Sequence, residues 1–182
     1  TANNKLTLSA HRNIEINSPI IATTGSVALH YGQGATDGII NGTAATYNIY
    51  MREGYKPGQG RIDLSAGENF STKLGSAGTE KVYTVITALG AAGDEGKTTV
   101  NSLQGLANRG KRNGNYVLGA DINAAATVSW NGGAGFAPIG YGSYKFTGSF
   151  DGLGHIISGL SIERPLYSGG SGLFGGVEQA VI

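Results

Sequence analysis

Cysteine is absent from the 182-residue chain, and proline, charged residues and long apolar runs are scarce. Without cysteine the chain forms neither disulfides nor thiolate metal sites, which excludes the disulfide-rich class of small extracellular domains. Only 4 residues are proline, and 40% are hydrophobic, a combination that argues against a disordered chain. No apolar run approaches the ~18 residues of a membrane-spanning helix, and the sequence contains no signal peptide. We therefore expect no membrane span in this sequence.

Charge of either sign is also low. Charged residues make up 14% of the chain, against a usual ~25%. The net charge is +1, so the charge balance does not predict nucleic acid as a partner. The three histidines show no metal-ligand spacing, and no glycine-rich stretch continues into the Lys-Ser/Thr of a phosphate loop. We predict no cofactor and no metal ion.

Glycine, by contrast, is abundant: 32 of the 182 residues are glycine, and they punctuate short apolar segments. In residues 146–176 each apolar segment is too short for a helix and soon meets a turn residue. Leu160 and Ile162 alternate with a serine, as in a half-buried strand. Short strands joined by turns are typical of a chain that winds into stacked coils. The sequence therefore predicts an all-β protein, a right-handed parallel β-helix, with Ile157 and Phe174 buried beside Leu160 and Ile162.

Two motifs of this stretch carry a resemblance to a known family. Residues 150–162 read Phe-Asp-Gly-Leu-Gly-His-Ile-Ile-Ser-Gly-Leu-Ser-Ile, and residues 172–175 read Gly-Leu-Phe-Gly. With the upstream segments 116–122 and 135–140, they resemble the GLUG-type repeat of filamentous-haemagglutinin-like exoproteins, which bacteria export by two-partner secretion. The resemblance covers roughly residues 80–176. It implies a β-helical adhesin that is secreted or held at the outer-membrane surface, and an outer-membrane transporter of the two-partner type as its export partner.

Two segments and one helix are predicted along the chain. Residues 1–77 alternate apolar and polar positions in looser, stalk-like coils, and residues 78–182 form the GLUG-type module. Residues 98–108 place apolar side chains at helical spacing, which predicts one short helical insertion with Leu103 and Leu106 packed inward. Because the pattern is cut at both ends, we expect the chain to be a fragment of a longer exoprotein.

A carbohydrate-active enzyme is the alternative function, since right-handed β-helices include polysaccharide lyases and hydrolases. Glycoside hydrolysis needs two carboxylates that face one cleft. Asp121, Asp151 and His155 are the only candidates close enough in sequence to share a face. Asp151 lies in a Phe-Asp-Gly turn, where an aspartate usually bonds its own backbone, and a lone histidine beside a strand is more often structural. We predict no catalytic residue and expect that the chain is not an enzyme.

Arg109, Lys111 and Arg112 form the candidate ligand-binding cluster, together with Trp130 and Phe136. Cations pair with acidic sugars, and aromatic rings stack on sugar rings. Both groups also have a structural interpretation. The cations follow the predicted helix, where the helix dipole favours positive charge, and the aromatics belong to the motifs of the resemblance, which implies a packing role. Both interpretations are open at this point.

Loops that interrupt the winding are the predicted places of ligand contact, because loops on rigid scaffolds usually carry binding residues. Residues 32–42 and 52–60 are two such loops, and the third combines residues 109–113 with 130–136. Asn41-Gly-Thr and Asn69-Phe-Ser match the Asn-x-Ser/Thr acceptor pattern, so Asn41 and Asn69 are candidate glycosylation sites. An ordinary turn is the alternative for each.

Adhesion is the function that the resemblance implies. The chain would be a segment of a secreted or surface-displayed bacterial exoprotein that attaches to host cells, surfaces or other bacteria. Its expected partner is a glycan or protein receptor on a host-cell or bacterial surface. A ligand-free structural spacer remains the third hypothesis beside the adhesin and the enzyme.

Overall fold

The computed structural model describes most of the chain, namely residues 4–50, 59–99, 101–164 and 170–182. Of the predicted loop 52–60, all but the last two residues lie outside the described residues, and so does Val100 of the predicted helix. The chain forms two compact units: Thr1–Val85 with Gly152–Gly154, and Ile86–Asp151 with His155–Ile182. We call them the first and the second unit. Their boundary falls between Val85 and Ile86, whereas the sequence pattern placed it after residue 77.

Strands dominate the first unit. They are β1 (Asn4–Ser9), β2 (Ile14–Ile16), β3 (Pro19–Ala22), β4 (Gly25–Tyr31), β5 (Ile39–Ile40), β6 (Thr43–Ala44), β7 (Tyr47–Ile49), β8 (Arg61–Leu64), β9 (Gly67–Leu74) and β10 (Lys81–Ile86, whose last residue begins the second unit). β4 pairs in parallel with both β1 and β9, so that Leu29 lies between Leu8 and Thr72. β2 pairs in parallel with β7, and β3 with β8.

Apolar side chains of these parallel strands form the core of the first unit. β2 alternates as its sequence predicts, because Ile14 and Ile16 are buried while the glutamate between them is exposed. Val27 of β4 is the register partner of Phe70 of β9, and both are buried. The Phe70 ring also contacts Tyr83 of β10, with 5.4 Å between the ring centroids. β-Branched and aromatic residues pack well on a pleated surface, which is why these segments form strands.

Two strand pairs of the first unit are antiparallel. β5 and β6 form a hairpin whose turn is Asn41-Gly42, with φ of 55° and 76°. Both positive φ values suit the type I′ turn that Asn-Gly favours. β9 and β10 also pair antiparallel, with a register shift between Tyr83 and Val85. Their connection is too short for the crossover that a parallel pair requires, so the chain returns directly alongside.

The second unit has shorter elements. Its strands and 3-10 helices are η1 (Asp94–Gly96), η2 (Gln104–Ala107), η3 (Arg109–Lys111), β11 (Asn115–Leu118), β12 (Ile122–Asn123), η4 (Ala125–Gly133), β13 (Ser149–Asp151) and β14 (Ile157–Ser158). β11 pairs in parallel with β13, and β12 with β14. Further segments meet through single bridges, such as the parallel bridge from Ile139 to Phe174.

A cluster of buried side chains holds the second unit together. Its members include Leu106, Leu118, Phe136, Ile139 and Phe146. The side chains predicted to be buried from the 146–176 pattern lie at the edge of this cluster. They are only half-buried and pack against it: Ile157, Leu160, Ile162 and Phe174. That part of the prediction was wrong, because the short apolar segments contact the core from one side only.

The predicted right-handed parallel β-helix is wrong. The strands belong to one larger sheet and four two-stranded sheets, both parallel and antiparallel pairs occur, and the described residues form no closed solenoid. Two local features explain the difference. The Asn41-Gly42 turn and the short connection after β9 each favour a local antiparallel pair. In the second unit the apolar segments are so short that several form one bridge instead of a strand.

The predicted single helix over residues 98–108 is also wrong. Its described part contains the 3-10 helix η2, and Asn108 is extended (φ −62°, ψ 133°) before η3 begins. The amides of Leu103 and Gln104 donate to the carbonyls of Ala88 and Leu89, at 2.9 and 3.0 Å, so they pair with a neighbouring segment. Leu103 and Leu106 are fully buried, which confirms the predicted inward packing.

Candidate ligand-binding cleft

An open cleft of about 260 Å³ lies in the second unit. Its charged and aromatic lining comprises Glu95, Arg109, Arg112, Tyr141, Tyr144 and Arg164. Smaller residues complete the wall: Ala107, Asn108, Ala137, Pro138 and Gly140. Three guanidinium groups and one carboxylate therefore surround a space that two tyrosines border.

Asn108 fixes the turn that carries the first arginine. Its Oδ1 accepts a hydrogen bond from the amide of Gly110 at 2.9 Å, which caps η3. Its Nδ2 donates to the carbonyl of Glu95 at 2.9 Å. One side chain thus links the segment of Arg109 to the segment of Glu95. The next arginine, Arg112, is held by its own carbonyl, which accepts the amide hydrogens of Thr147 and Gly148.

Arg109 and Arg112 share one aromatic ring. The guanidinium carbon of Arg109 lies 4.0 Å from the ring centroid of Tyr144, and that of Arg112 lies 6.0 Å from the same centroid. Both are within the ~6 Å at which a cation is attracted to an aromatic face. Within residues 4–50, 59–99, 101–164 and 170–182, neither guanidinium forms an ion pair. The cation–π contacts therefore place both guanidinium groups at the same ring.

Lys111, the third predicted cation, does not line the cleft. Its Nζ donates to Oδ1 of Asn101 at 2.7 Å, and burial lowers the pKa of this lysine. Its carbonyl accepts the hydroxyl hydrogen of Tyr116 at 2.9 Å, so the residue supports the turn before β11. The structure therefore brings together two of the three predicted cations.

The predicted aromatics do not reach the cleft with their rings. The Phe136 ring is fully buried in the core of the second unit, and Trp130 packs against that core. The full burial of Phe136 agrees with its structural interpretation, whereas a ligand contact at the half-buried Trp130 stays a prediction. The backbone of this segment still contributes, because the carbonyls of Phe136 and Gly135 accept from Arg164 at 3.1 and 3.3 Å.

A buried glutamine supports the wall of the cleft. The Gln104 side chain is fully buried. Its Nε2 donates to the carbonyl of Ala137 at 3.1 Å, and its Oε1 accepts from the amide of Ala137 at 2.9 Å. The side-chain amide thereby replaces the partner that a neighbouring strand would offer. At Gly140 the backbone has a φ of 71°, and a side chain there would collide with the amide of Phe146.

The segment before Glu95 is held by a buried carboxylate. Asp94 Oδ1 accepts from Lys97 Nζ at 2.8 Å, and Oδ2 accepts from the amide of Ala91 at 2.8 Å and from Ser102 Oγ at 3.4 Å. The hydrogen bond from Lys97, followed by that from Ala91, lowers the pKa of Asp94. Glu95 itself lines the cleft, and its Oε2 is shielded from solvent and has no donor among the described residues.

Asp121 and His155, two of the residues weighed for catalysis, are in contact elsewhere in the second unit. His155 Nδ1 lies 3.2 Å from Asp121 Oδ1, which also accepts the amide hydrogen of Ile156 at 3.0 Å. These contacts precede β12 and β14 and support their pairing. The cleft is lined by a single carboxylate, Glu95, within the described part of the chain. The expectation that the chain is not an enzyme stays a prediction.

The two candidate glycosylation sites differ in geometry. Asn41 is exposed at the tip of the β5–β6 hairpin. Asn69 lies within β9, and its Nδ2, the atom that a glycan would occupy, donates to the carbonyls of Ser65 and Ala66 and to Ser65 Oγ at 3.1–3.2 Å. A glycan on Asn41 stays a prediction, whereas Asn69 would first have to lose these hydrogen bonds.

Four charged or aromatic residues of the lining were not predicted from the sequence: Glu95, Tyr141, Tyr144 and Arg164. The one local signal was the pair of tyrosines in Tyr-Gly-Ser-Tyr, an exposed turn sequence that directly follows Gly140. Tyr141 and Tyr144 are 36% and 38% exposed, so both rings are accessible to a ligand. Nothing in the spacing of Glu95 and Arg164 indicated that they meet the arginines of residues 109–112.

Comparison with known proteins gives one partial similarity. The chain is 51% identical to halomucin of Haloquadratum walsbyi over 76 residues, which cover 38% of this chain. It spans only 1% of the length of halomucin. No protein-family model matches the chain. No solved structure shows a significant match. The similarity is consistent with a segment of a secreted or surface-exposed protein.

None of the helices in the described part of the chain has the length and apolar character that a membrane crossing requires.

Proposed function

We propose that this chain is a ligand-binding segment of a secreted or surface-displayed protein, and that it contributes to attachment through the cleft of the second unit. The carrying observation is that the guanidinium groups of Arg109 and Arg112, which form no ion pair within the described residues, both contact the exposed ring of Tyr144. Charged and aromatic groups that meet at an accessible cleft are typical of a recognition site.

Three further observations support this proposal. The partial similarity to halomucin favours a secreted or surface-exposed setting. The resemblance of residues 150–162 and 172–175 to the GLUG-type repeat favours adhesion and, for the whole protein, export through a two-partner outer-membrane transporter. Low charge outside the cleft favours a specific local site over general electrostatic capture. The cleft favours an attachment segment over a ligand-free spacer, because a spacer does not require two solvent-exposed arginines that contact one aromatic ring.

An attachment assay with a charge-matched control tests this function. The purified chain is immobilised on beads, and the binding of bacterial or host cells is counted for the parent and two double variants. Arg109→Ala with Arg112→Ala removes both guanidinium groups of the cleft. Arg12→Ala with Lys73→Ala removes the same charge from the first unit, and neither residue lines the cleft.

We expect the cleft variant to lose at least tenfold in cell binding, since two charge-assisted contacts of ~1.5–3 kcal/mol each are removed. The control variant keeps binding within a factor of two. Equal binding by the parent and the cleft variant, at unchanged melting temperature, would place the attachment site elsewhere. Equal loss in both variants would mean that net charge alone causes attachment.

A further inference from the structure

We propose that the cleft binds an acidic saccharide, whose anionic group contacts Arg109 and Arg112 and whose neighbouring hydroxyl group donates a hydrogen bond to Glu95. This inference rests on the proposed attachment function and names the ligand class of the same cleft.

The first step concerns the anionic group. Arg109 and Arg112 approach the ring of Tyr144, at 4.0 and 6.0 Å from its centroid, and both line the cleft, so an anion bound there meets two positive charges. Like charges that face one site repel, and a bound anion reduces that repulsion. Guanidinium groups bind carboxylate and sulfate-like oxygens through paired N–H donors. Arg164 lines the same space and is oriented by the carbonyls of Gly135 and Phe136.

The second step concerns Glu95, which makes a bare anion a poor ligand. Glu95 is half-buried and lines the cleft together with the arginines. A carboxylate oxygen accepts hydrogen bonds and repels other anions. A hydroxyl donor of the ligand that reaches the exposed part of this carboxylate forms a charge-assisted hydrogen bond. The favoured ligand therefore carries an anionic group and a hydroxyl donor close to each other, as acidic sugars do.

The third step concerns size and shape. The volume of about 260 Å³ is just below the ~300–1,000 Å³ of typical small-molecule pockets, so the cleft suits a short saccharide segment. Tyr141 lines the cleft, is 36% exposed and offers a ring surface. Sugar rings have apolar faces that pack on aromatic rings, while their hydroxyl groups face outward. An acidic peptide supplies carboxylates without a hydroxyl donor at a fixed neighbouring position, so the observations favour a saccharide.

Calorimetric titration of the full chain with defined probes tests this inference. The probes are a tetrasaccharide of glucuronate and N-acetylglucosamine, its neutral carboxyl-reduced form, a sulfated form of that neutral tetrasaccharide, inorganic sulfate and an aspartate-rich peptide. We expect one or both acidic tetrasaccharides to bind at least tenfold more tightly than the neutral form. The stronger of the two identifies the anionic group as a carboxylate or a sulfate.

Glu95→Gln separates a ligand contact from a structural role. The substitution removes the charge while it keeps the size of the side chain. We expect it to weaken the acidic tetrasaccharide about fivefold, because the hydroxyl loses a charged acceptor, and to leave inorganic sulfate unchanged or tighter, because a repelling charge is gone. A structural role would weaken both probes alike, and that result would overturn the assignment of Glu95.

Two results would overturn the saccharide itself. One is tighter binding of the aspartate-rich peptide than of either acidic tetrasaccharide. The other is the absence of tetrasaccharide binding while cell attachment still depends on Arg109 and Arg112. In both cases the attachment function stands and its ligand class is wrong. Attachment that ignores the two arginines contradicts the proposed function itself, whatever the tetrasaccharides do.

Discussion

The two units satisfy their backbones in different ways. In the first unit, backbone groups are satisfied mainly by hydrogen bonds between strands, because β1, β4 and β9 pair in continuous parallel register. In the second unit, side chains form many of the hydrogen bonds that satisfy backbone groups. Gln104 pairs with the backbone of Ala137, and the buried Thr127 hydroxyl accepts the amide hydrogen of Ser161 while it donates to a carbonyl. The cleft lies in the second unit.

The difference shows what a ligand site needs from its scaffold. A continuous ladder places side chains on two alternating faces and leaves little freedom to gather several charges at one point. Irregular segments bring charges together, but their backbone groups then need other partners. Gln104, Asn108 and Asp94 supply those partners around the cleft. The second unit thus depends on individual polar side chains more than the first unit does.

The largest expected effect tests whether both units have a packed core. Phe70 in the first unit and Phe146 in the second are each almost fully buried. We expect Phe70→Ala and Phe146→Ala each to lower the free energy of unfolding of its unit by about 3–5 kcal/mol. Amide hydrogen exchange measures each unit separately. Val128→Ala, at a site that is 65% exposed, should change stability by less than ~0.5 kcal/mol. A Phe146 variant as stable as the Val128 variant would mean that the second unit lacks a packed core.

The second prediction compares two glutamines. Gln104 is fully buried and satisfies both backbone groups of Ala137, whereas Gln33 in the first unit is half-buried and its amide donates to three carbonyls at 3.0–3.4 Å. We expect Gln104→Ala to cost about 2–4 kcal/mol, because it leaves a buried donor and acceptor unpaired. Gln33→Ala should cost about 1 kcal/mol, since water replaces its amide. Denaturant titration measures both values. Equal costs would refute the stronger dependence of the second unit on side-chain partners.

The third prediction concerns the loss of folding stability at low pH. Hydrogen bonds from Lys97 and Ala91 lower the pKa of Asp94, and a hydrogen bond from Ser71, followed by one from Lys5, lowers the pKa of Glu80 in the first unit. A carboxyl group with a lowered folded-state pKa contributes stability above its ordinary pKa, and that stability is lost as pH falls through the folded-state pKa. We expect this loss below about pH 4. It should be larger for Asp94, whose side chain is 6% exposed against 42% for Glu80, because solvent screens the latter.

Two variants check this pH dependence. Asp94→Asn should destabilise the chain by about 1–3 kcal/mol at neutral pH and flatten the acid limb of a plot of stability against pH. Glu80→Gln should have the smaller effect on both. An acid limb that is unchanged in the Asp94 variant would show that other carboxyl groups control acid unfolding.

Much of the first unit could be predicted from local pattern, and the overall topology could not. Alternation correctly indicated strands around Ile14 and Ile62, and it identified their buried faces. Pairing direction depends on connection length and turn chemistry. The prediction of stacked coils overlooked two connections that favour antiparallel pairing, the Asn41-Gly42 turn and the segment after β9. Residues 98–108 failed as a helix for another reason. The amides of Leu103 and Gln104 find backbone partners far along the chain, and tertiary pairing overrides helical spacing.

Two cations of the candidate site could be predicted from the sequence, and its other charged and aromatic residues could not. The cluster of cations at residues 109–112 was visible as sequence, and Arg109 and Arg112 do line the cleft. The aromatic lining of the cleft was not predicted, because a sequence motif cannot tell a core ring such as Phe136 from a surface ring such as Tyr144. Glu95 and Arg164 reach the cleft only through folding, since their segments are remote in sequence and meet through hydrogen bonds to Asn108 and Phe136.

The parallel register of β1, β4 and β9 has a consequence for how fast the first unit forms. Asn4 pairs with Gly25, and Val27 with Phe70, so every rung joins residues that are remote along the chain. Each such contact requires a long loop to close before any ladder bond repays the lost chain entropy. Domains with this high contact order fold in roughly milliseconds to seconds, far more slowly than helical bundles. During that interval the apolar strands stay accessible to other chains, so slow folding of the first unit lengthens the time in which it can aggregate.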